Sequence, residues 1–137
     1  MSTGSTTNFP NGVKTFPRTS ANTVVQTSSY TVLAADCIGS TVIFDSDSAA
    51  TATLPLIAGA VDGGIVTIVN NKAGQLLTVD PNASDGINFG DQVVDGTTVV
   101  NTAATAQKGD FIKLATLTSA STYWSVVDIQ GIWAVGS

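Results

Sequence analysis

Two kinds of side chain are missing from this chain, which contains no histidine and no glutamate. Without histidine, neither the Ser-His-Asp nor the Cys-His catalytic arrangement can form, and the usual neutral-pH general base is lost. The single cysteine, Cys37, excludes an intramolecular disulfide. It also lacks an activating imidazole, so we interpret it as a small hydrophobic residue in or near a strand. No Gly-rich phosphate loop of a standard form is present.

Charged residues are also scarce, at 11% of the chain, and the net charge is −5. An acidic chain lacks the basic footprint that nucleic-acid binding requires, so no nucleic-acid partner is predicted. Before Tyr30 the only charged residues are Lys14 and Arg18, whereas the rest of the chain holds three lysines and all ten aspartates. No apolar run is long enough for a membrane span, and no signal peptide is predicted at the start. We expect no cofactor and no membrane partner.

Three groups of aspartates are candidate sites. Asp45 with Asp47, and Asp91 with Asp95, could in principle supply the two carboxylates of a glycosidase. The small size and the aromatic content of 7% argue against a sugar cleft. The segment Asp80–Gly86 starts like a calcium loop, but its glycine falls one position late and no glutamate follows. A turn built on Asx and Pro residues is the favoured interpretation there.

Ala, Val and Thr dominate the composition, and the β-branched residues among them favour strands. Short apolar runs recur from Tyr30 onward at spacings near ten residues, separated by turn signals, which is typical of a sandwich, jelly roll or barrel. The run 64–70 is apolar on both faces and is predicted to be a central buried strand. Helical structure is limited to a turn or two at 33–37, 56–61 and 102–107, and no tandem repeat of solenoid length is found. The predicted strands are 30–33, 41–45, 51–54, 64–70, 76–79, 87–89, 97–101, 111–115, 123–127 and 132–135.

The first 28 residues differ from the rest, being rich in Ser, Thr, Asn, Gly and Pro with isolated apolar residues. Pro10 and Pro17 favour extended backbone at the residues before them, and Asn11-Gly12 is a strong turn dipeptide. Such a segment cannot build a core alone. The sequence therefore predicts an extended N-terminal arm over 1–28 and, over 29–137, a single compact all-β domain of β-sandwich or jelly-roll type.

The stretch YTVLAADCIGSTVIFDSDSAATATLPLIAGAVDGGIVTIVNN, from Tyr30, resembles a pattern of phage virion proteins. That pattern has a YT-x-x-AAD opening, a small-residue run ending in Thr-Leu-Pro, and a Gly-rich turn before a buried strand. The C-terminal stretch KGDFIKLATLTSASTYWSVVDIQGIWAVGS is similar to those proteins too. The opening NFPNGV resembles the arms of bacteriophage head-decoration (capsid cement) proteins. Cys37 and Ile38 stand where the pattern has small or polar residues.

The resemblance implies a non-enzymatic protein that binds the outer head surface as a homotrimer and stabilises the capsid. It would be made in the host cytoplasm, with the major capsid protein as its partner. Trp124, Trp133 and Phe89 would pack in the core or the trimer interface. A phage tail-fibre or receptor-binding module that binds a host cell-surface ligand is the alternative, and an enzyme or another β-domain binder is the third. The capsid-binding residues of the arm would be Asn8, Phe9, Pro10, Val13, Lys14, Phe16 and Arg18.

Overall fold

The computed structural model describes residues 23–82, 84–90, 92–118 and 121–136, and these form an all-β structure, as the composition predicts. The only helical elements in these ranges are two single 3₁₀ turns, Ala34–Asp36 and Ile57–Gly59. The strands are β1 (Thr23–Gln26), β2 (Tyr30–Thr31), β3 (Ser40–Phe44), β4 (Ala50–Thr53), β5 (Ile65–Asn70), β6 (Leu77–Asp80), β7 (Gly86–Phe89), β8 (Gln92–Asp95), β9 (Val99–Asn101), β10 (Asp110–Ala115), β11 (Tyr123–Gln130) and β12 (Ala134–Val135).

The strands form two sheets. The first sheet has seven strands in the order β1-β3-β5-β10-β11-β7-β8, and the second has five in the order β12-β9-β6-β4-β2. Half of the ten strand pairings are parallel and half antiparallel. Since jelly-roll strands pair antiparallel, the jelly-roll form of the expectation is not confirmed.

Four of the five parallel pairings come from the first half of the chain, where successive strands alternate between the sheets, and the fifth joins β11 to β7. β1, β3 and β5 are neighbours in the first sheet, and β2, β4 and β6 are neighbours in the second. The chain therefore makes three stacked turns, like a short solenoid. This repeat is not visible in the sequence, because the three turns differ in length. They share only a short motif, a Thr followed by two β-branched residues. These aligned triplets are 23–25, 41–43 and 67–69.

The core lies between the two sheets. Along β3 and β5 every second residue is buried, so one face of each strand meets the second sheet and the other stays partly exposed. This alternation differs from the two-sided burial predicted for 64–70, although β5 is central in its sheet. Trp124 is fully buried and Trp133 is 7% exposed, so both are core residues of this chain, and Phe89 packs against the same core while half-buried.

Two strands were missed by the sequence analysis. β1 falls within the predicted arm, where Thr23–Gln26 pairs in parallel with Thr41–Phe44 as an edge strand. β8 forms a hairpin with β7 at the opposite edge. Of the predicted helical turns, 33–37 and 56–61 each contain one of the 3₁₀ turns, whereas 102–107 is a non-helical turn.

Candidate interaction surface

Exposed aliphatic side chains concentrate at one end of the two sheets. We call this the loop end and define it by the loops 32–39, 54–64 and 116–118. The first two loops lead from the second sheet to the starts of β3 and β5, and the third follows the end of β10. β10 runs antiparallel to β5, so all three loops meet at the same end. Their large exposed side chains, with the exposed fraction of each, are Leu33 (55%), Ile38 (61%), Leu56 (45%), Val61 (55%) and Leu117 (64%).

The three loops converge on Gly64, just before β5. The Thr116 hydroxyl donates to the carbonyl oxygen of Val61 at 2.7 Å and accepts the Gly64 N–H at 3.1 Å. A Cβ added at Gly64 would lie only 2.5 Å from the carbonyl oxygen of Cys37. The loop 54–64 thus contacts both of the other loops, and this brings Ile38, next to Cys37, to the same end as Val61.

Buried carboxylates fix the shape of this end. Asp36 accepts hydrogen bonds from the Tyr30 hydroxyl at 2.8 Å and from the Leu33 N–H at 2.9 Å. The YT-x-x-AAD pattern thus places the donor and the acceptor of a hydrogen bond that holds this turn together. Asp85 is 5% exposed and accepts the Ile57 N–H at 2.9 Å, so it anchors the loop 54–64. These carboxylates are used internally, and the three loops contain no Lys or Arg. The surface that they present combines the five exposed aliphatic side chains with one exposed carboxylate, Asp62, and exposed apolar groups gathered in this way are typical of a protein contact.

The chain enters the structure at the same end. Thr23, the first described residue, pairs with Thr41 in parallel, so β1 starts where β3 starts. The predicted arm residues Asn8, Phe9, Pro10, Val13, Lys14, Phe16 and Arg18 lie outside the described residues. The described part of the chain therefore begins at the loop end. The sequence analysis missed the loop end because its exposed residues lie in loops without periodicity. The signal that could have indicated it is the set of aliphatic residues placed among turn residues.

Cys37 is unsuited to nucleophilic chemistry in this environment. Its side chain is fully buried, and its thiol donates to the carbonyl oxygen of Leu33 at 3.5 Å. Burial, and secondly the charge of Asp36, raise the pKa of this thiol to about 12. Because the thiolate is the reactive form, the thiol stays inert at neutral pH, which agrees with the interpretation as a small hydrophobic residue.

The same environment predicts a loss of stability in alkali. Burial, followed by the hydrogen bond to Asp36, raises the pKa of Tyr30 to about 12 as well. A raised pKa means that the fold favours the neutral group, so this stabilisation is complete below about pH 9 and is lost as the pH rises towards 12. We expect the urea midpoint to fall over this window, and iodoacetamide to label Cys37 at pH 8 only in denaturant. A Ser48→Cys variant, exposed at the other end, should be labelled without denaturant. Equal labelling of both thiols in the folded protein would contradict the prediction.

The paired aspartates do not form an acid–base pair among the described side chains. Lys72 Nζ lies 2.7 Å from Asp47 Oδ1 and 3.9 Å from Asp45 Oδ1, at the end opposite the loop end. The hydrogen bond and charge of Lys72 lower the pKa of Asp47, so this carboxyl is ionised at neutral pH and cannot act as a general acid. Asp91 lies outside the described residues, and Asp95 is the last residue of β8, where it pairs with Gly86 of β7.

The segment 80–86 forms a turn within its described part. The Asp85 N–H donates to the carbonyl oxygen of Asn82 at 2.7 Å, and the Asp85 carboxylate is occupied by Ile57. Within the described ranges, no three Cys or Asp side chains gather in a way that could hold a metal ion. The hydrogen bond between Asp85 and Asn82 is the observation that agrees with the turn interpretation.

Comparison with known proteins gives no relative. No protein-family model, no curated protein and no solved structure matches this chain. Among the described residues, no helix has the length and apolar character needed to cross a bilayer.

Proposed function

We propose that this protein is a bacteriophage capsid decoration protein, which binds the outer surface of the head as a homotrimer and stabilises the shell. The observation that carries this proposal is the loop end, where five aliphatic side chains are 45–64% exposed beside the point at which the chain enters β1. In this proposal the partner is the major capsid protein, and the protein is made in the host cytoplasm before it joins the virion.

The loop end suits attachment to a preformed protein lattice. Burying a fully exposed aliphatic side chain contributes roughly 1.5–3 kcal/mol, so two or three of them suffice for a weak single-site contact. A trimer multiplies such a contact, since linked sites raise the overall affinity by roughly 10²–10⁴-fold. Mainly uncharged loops also avoid the desolvation cost of burying ions at the interface.

The arm supplies the second part of the proposed contact. Phe9, Val13 and Phe16 would provide apolar anchors on the capsid, and Lys14 and Arg18 would pair with acidic groups there. The domain behind the arm is, in this proposal, one compact sandwich with the shared core of Trp124 and Trp133, and the trimer contact lies outside that core. The two-sheet arrangement supports this form, since both sheets contribute to one cluster of buried residues.

The proposal predicts that charged substitutions at the loop end abolish head binding. We expect Ile38→Asp and Leu117→Asp each to weaken binding by about tenfold or more, because an exposed aliphatic group is replaced by an ion that must be desolvated. Val25→Asp is the matched control, since Val25 is 58% exposed on β1, outside the loop end. Binding is measured by co-sedimentation of the purified protein with undecorated heads of its phage.

A chain lacking residues 1–22 tests the arm in the same assay, and it keeps β1 intact. Saturable binding in a lattice-limited number by the full chain, lost in the loop-end variants and reduced without the arm, supports the proposal. Failure of the full chain to bind heads overturns it. Equal binding by Ile38→Asp and Val25→Asp would remove the loop end from the contact. Sedimentation velocity of the free protein tests the trimer separately.

The alternative is a tail-fibre or receptor-binding module that binds a host cell-surface ligand. The observation that favours it is the convergence of three loops at one end of a β scaffold, which is a common arrangement of binding tips. This function predicts binding to host cells that is lost in Leu117→Asp, together with no binding to heads.

A further inference from the structure

The first sheet is wider than the second, and this leaves part of its inner face uncovered. The three stacked turns put β2, β4 and β6 in the second sheet and β1, β3 and β5 in the first. Beyond these strands the second sheet adds β9 and ends at β12, whereas the first adds β10, β11, β7 and β8. Trp133, just before β12, donates its Nε1–H to the carbonyl oxygen of Gln130, the last residue of β11, at 2.9 Å. β7 and β8 therefore extend past the last strand of the second sheet.

An open groove of about 430 Å³ lies at this position, and it is lined by Phe89, Gly90 and the segment 126–129. Phe89 and Val126 pack against the core cluster, so they face the second sheet. Ile129 lies opposite the buried Ile112 and therefore faces the same way, yet it is 40% exposed. The groove is thus a continuation of the core that lacks a covering strand.

Backbone groups of β11 are open along the groove. β7 pairs with β11 only as far as Ser125, so the rest of β11 is paired with β10 alone among the described strands. β12 is the edge strand of the second sheet. Free edges of this kind accept an extended segment through main-chain hydrogen bonds.

We propose that the segment Asn8–Val13 of the same chain occupies this groove in the free protein, with Phe9 as its anchor. Charge favours this occupant, because residues 1–22 carry Lys14 and Arg18 with no acidic residue, whereas the remainder holds three lysines and ten aspartates. One of those aspartates, Asp128, lines the groove. The aromatic side chain suits the apolar lining, and the nearby basic residues have the sign opposite to Asp128, the one charged residue of the described lining, whose cross-strand neighbour is Lys113.

The number of residues between each phenylalanine and Thr23 favours Phe9 over Phe16 as the anchor. Thr23 and Asp128 lie in the same cross-strand row of the first sheet, separated by four strand spacings, or about 19 Å. The chain must also pass around the sheet to reach its inner face. Fourteen residues from Phe9 to Thr23 span at most about 50 Å, which suffices, whereas the seven from Phe16 span about 25 Å, which barely covers the direct distance.

This inference describes the free protein, and only the later release of the segment onto a capsid rests on the proposed function. In the unbound protein the groove would hold the arm, and the arm would cover the apolar surface of the groove until a head is present. Because its test needs no heads, failure of the groove contact and failure of head binding can be told apart.

Disulfide trapping tests the contact directly, because the native Cys37 is buried and inert. The pair Asn8→Cys with Val127→Cys joins the segment to the groove, and Asn8→Cys with Val25→Cys is the control. Val127 and Val25 have similar exposure, at 49% and 58%, and the control pair has the shorter tether. With oxidised glutathione, we expect the groove pair to form an intramolecular disulfide on the order of tenfold faster. A faster control pair, or only disulfides between chains, would overturn the inference.

Trypsin gives a second readout on the otherwise unmodified chain. Lys14 and Arg18 are the only cleavage sites before Lys72. Ile129→Asp should accelerate cleavage there by several fold, because the charged side chain expels Phe9, while Val25→Asp should not. Near-ultraviolet circular dichroism checks that Trp124 and Trp133 remain packed in both variants. Equal cleavage rates in folded Ile129→Asp, Val25→Asp and the original protein would contradict the proposed contact.

Discussion

Replacing Asn101 with alanine is expected to lower the free energy of unfolding by about 3–4 kcal/mol, the largest effect predicted for any single polar residue here. Asn101 is fully buried on β9 of the second sheet. Its amide oxygen accepts from Asn70 Nδ2 at 2.7 Å, and its Nδ2 donates to Asp110 Oδ2 and to the carbonyl oxygen of Ile132, both at 3.0 Å. This one amide therefore links the second sheet to β5 and β10 of the first.

The cost is high because the two side-chain partners of Asn101 are themselves buried. Asn70 is 2% exposed and Asp110 is 3% exposed, so neither can recover the lost bond from water. A buried polar group without its partner bears the full desolvation penalty. Asp110 would retain only the Gln107 N–H, at 3.0 Å. A buried carboxylate that accepts one hydrogen bond is less stable than one that accepts two, so the folded state loses stability relative to the unfolded state.

Urea unfolding of the full chain measures this effect. Asn71→Ala is the matched control, since Asn71 follows Asn70 but makes only a 3.4 Å contact with the partly exposed Asp45. We expect that variant to change stability by less than about 0.5 kcal/mol. A double-mutant cycle between Asn70→Ala and Asn101→Ala should give a coupling energy of about 1–3 kcal/mol. A loss below about 1 kcal/mol in Asn101→Ala, with no coupling, would show that the network contributes little.

The second large effect is expected at Gly64, where alanine should cost about 2–4 kcal/mol and lower the melting temperature by about 10 °C. The added Cβ would lie 2.5 Å from the carbonyl oxygen of Cys37 and 3.0 Å from that of Val61. Both neighbours are backbone atoms, so no side-chain rotation relieves the contact. The loops must separate, and the Thr116 hydrogen bonds that join them are weakened.

Gly59 provides the control for this experiment. It lies in the same loop, and a Cβ added there meets nothing within 4 Å. Thermal unfolding should therefore give Gly59→Ala a melting temperature within a few degrees of the original protein. If Gly64→Ala were equally mild, the loops would not be as closely packed as described. Gly64→Ala also links stability to the proposed function, because it displaces the loops that carry Ile38 and Val61.

Much of the strand content could be predicted from the sequence. The runs that became β3, β5, β10 and β11 are apolar, β-branched and bounded by turn residues, and local chemistry of that kind decides a strand without help from the rest of the chain. The 3₁₀ turn at Ala34–Asp36 was also predicted as a helical turn. The hydrogen bond that stabilises it is short-range as well, since Tyr30 and Asp36 lie only six residues apart. In each case the determining contacts are close in sequence.

The elements that were missed depend on distant partners. β1 was assigned to the arm because the stretch around it resembles a linker, and it is a strand only because β3 offers a parallel edge. The three stacked turns could not be predicted because their shared motif has only three residues and recurs at unequal spacing. Asn70, Asn101 and Asp110 each resemble an ordinary turn or surface residue, and nothing local indicates that they meet.

By itself, the sequence determined the class of the fold, the position of most strands and turns, and the absence of histidine- and glutamate-dependent chemistry, since these follow from composition and short-range patterns. The parallel stacking, the convergence of three loops on Gly64, the polar link through Asn101 and the groove beside β11 became visible only in the three-dimensional arrangement. The physical reason is that packing joins residues far apart in the chain, and the stabilisation from such contacts depends on which surfaces meet rather than on which residues are adjacent.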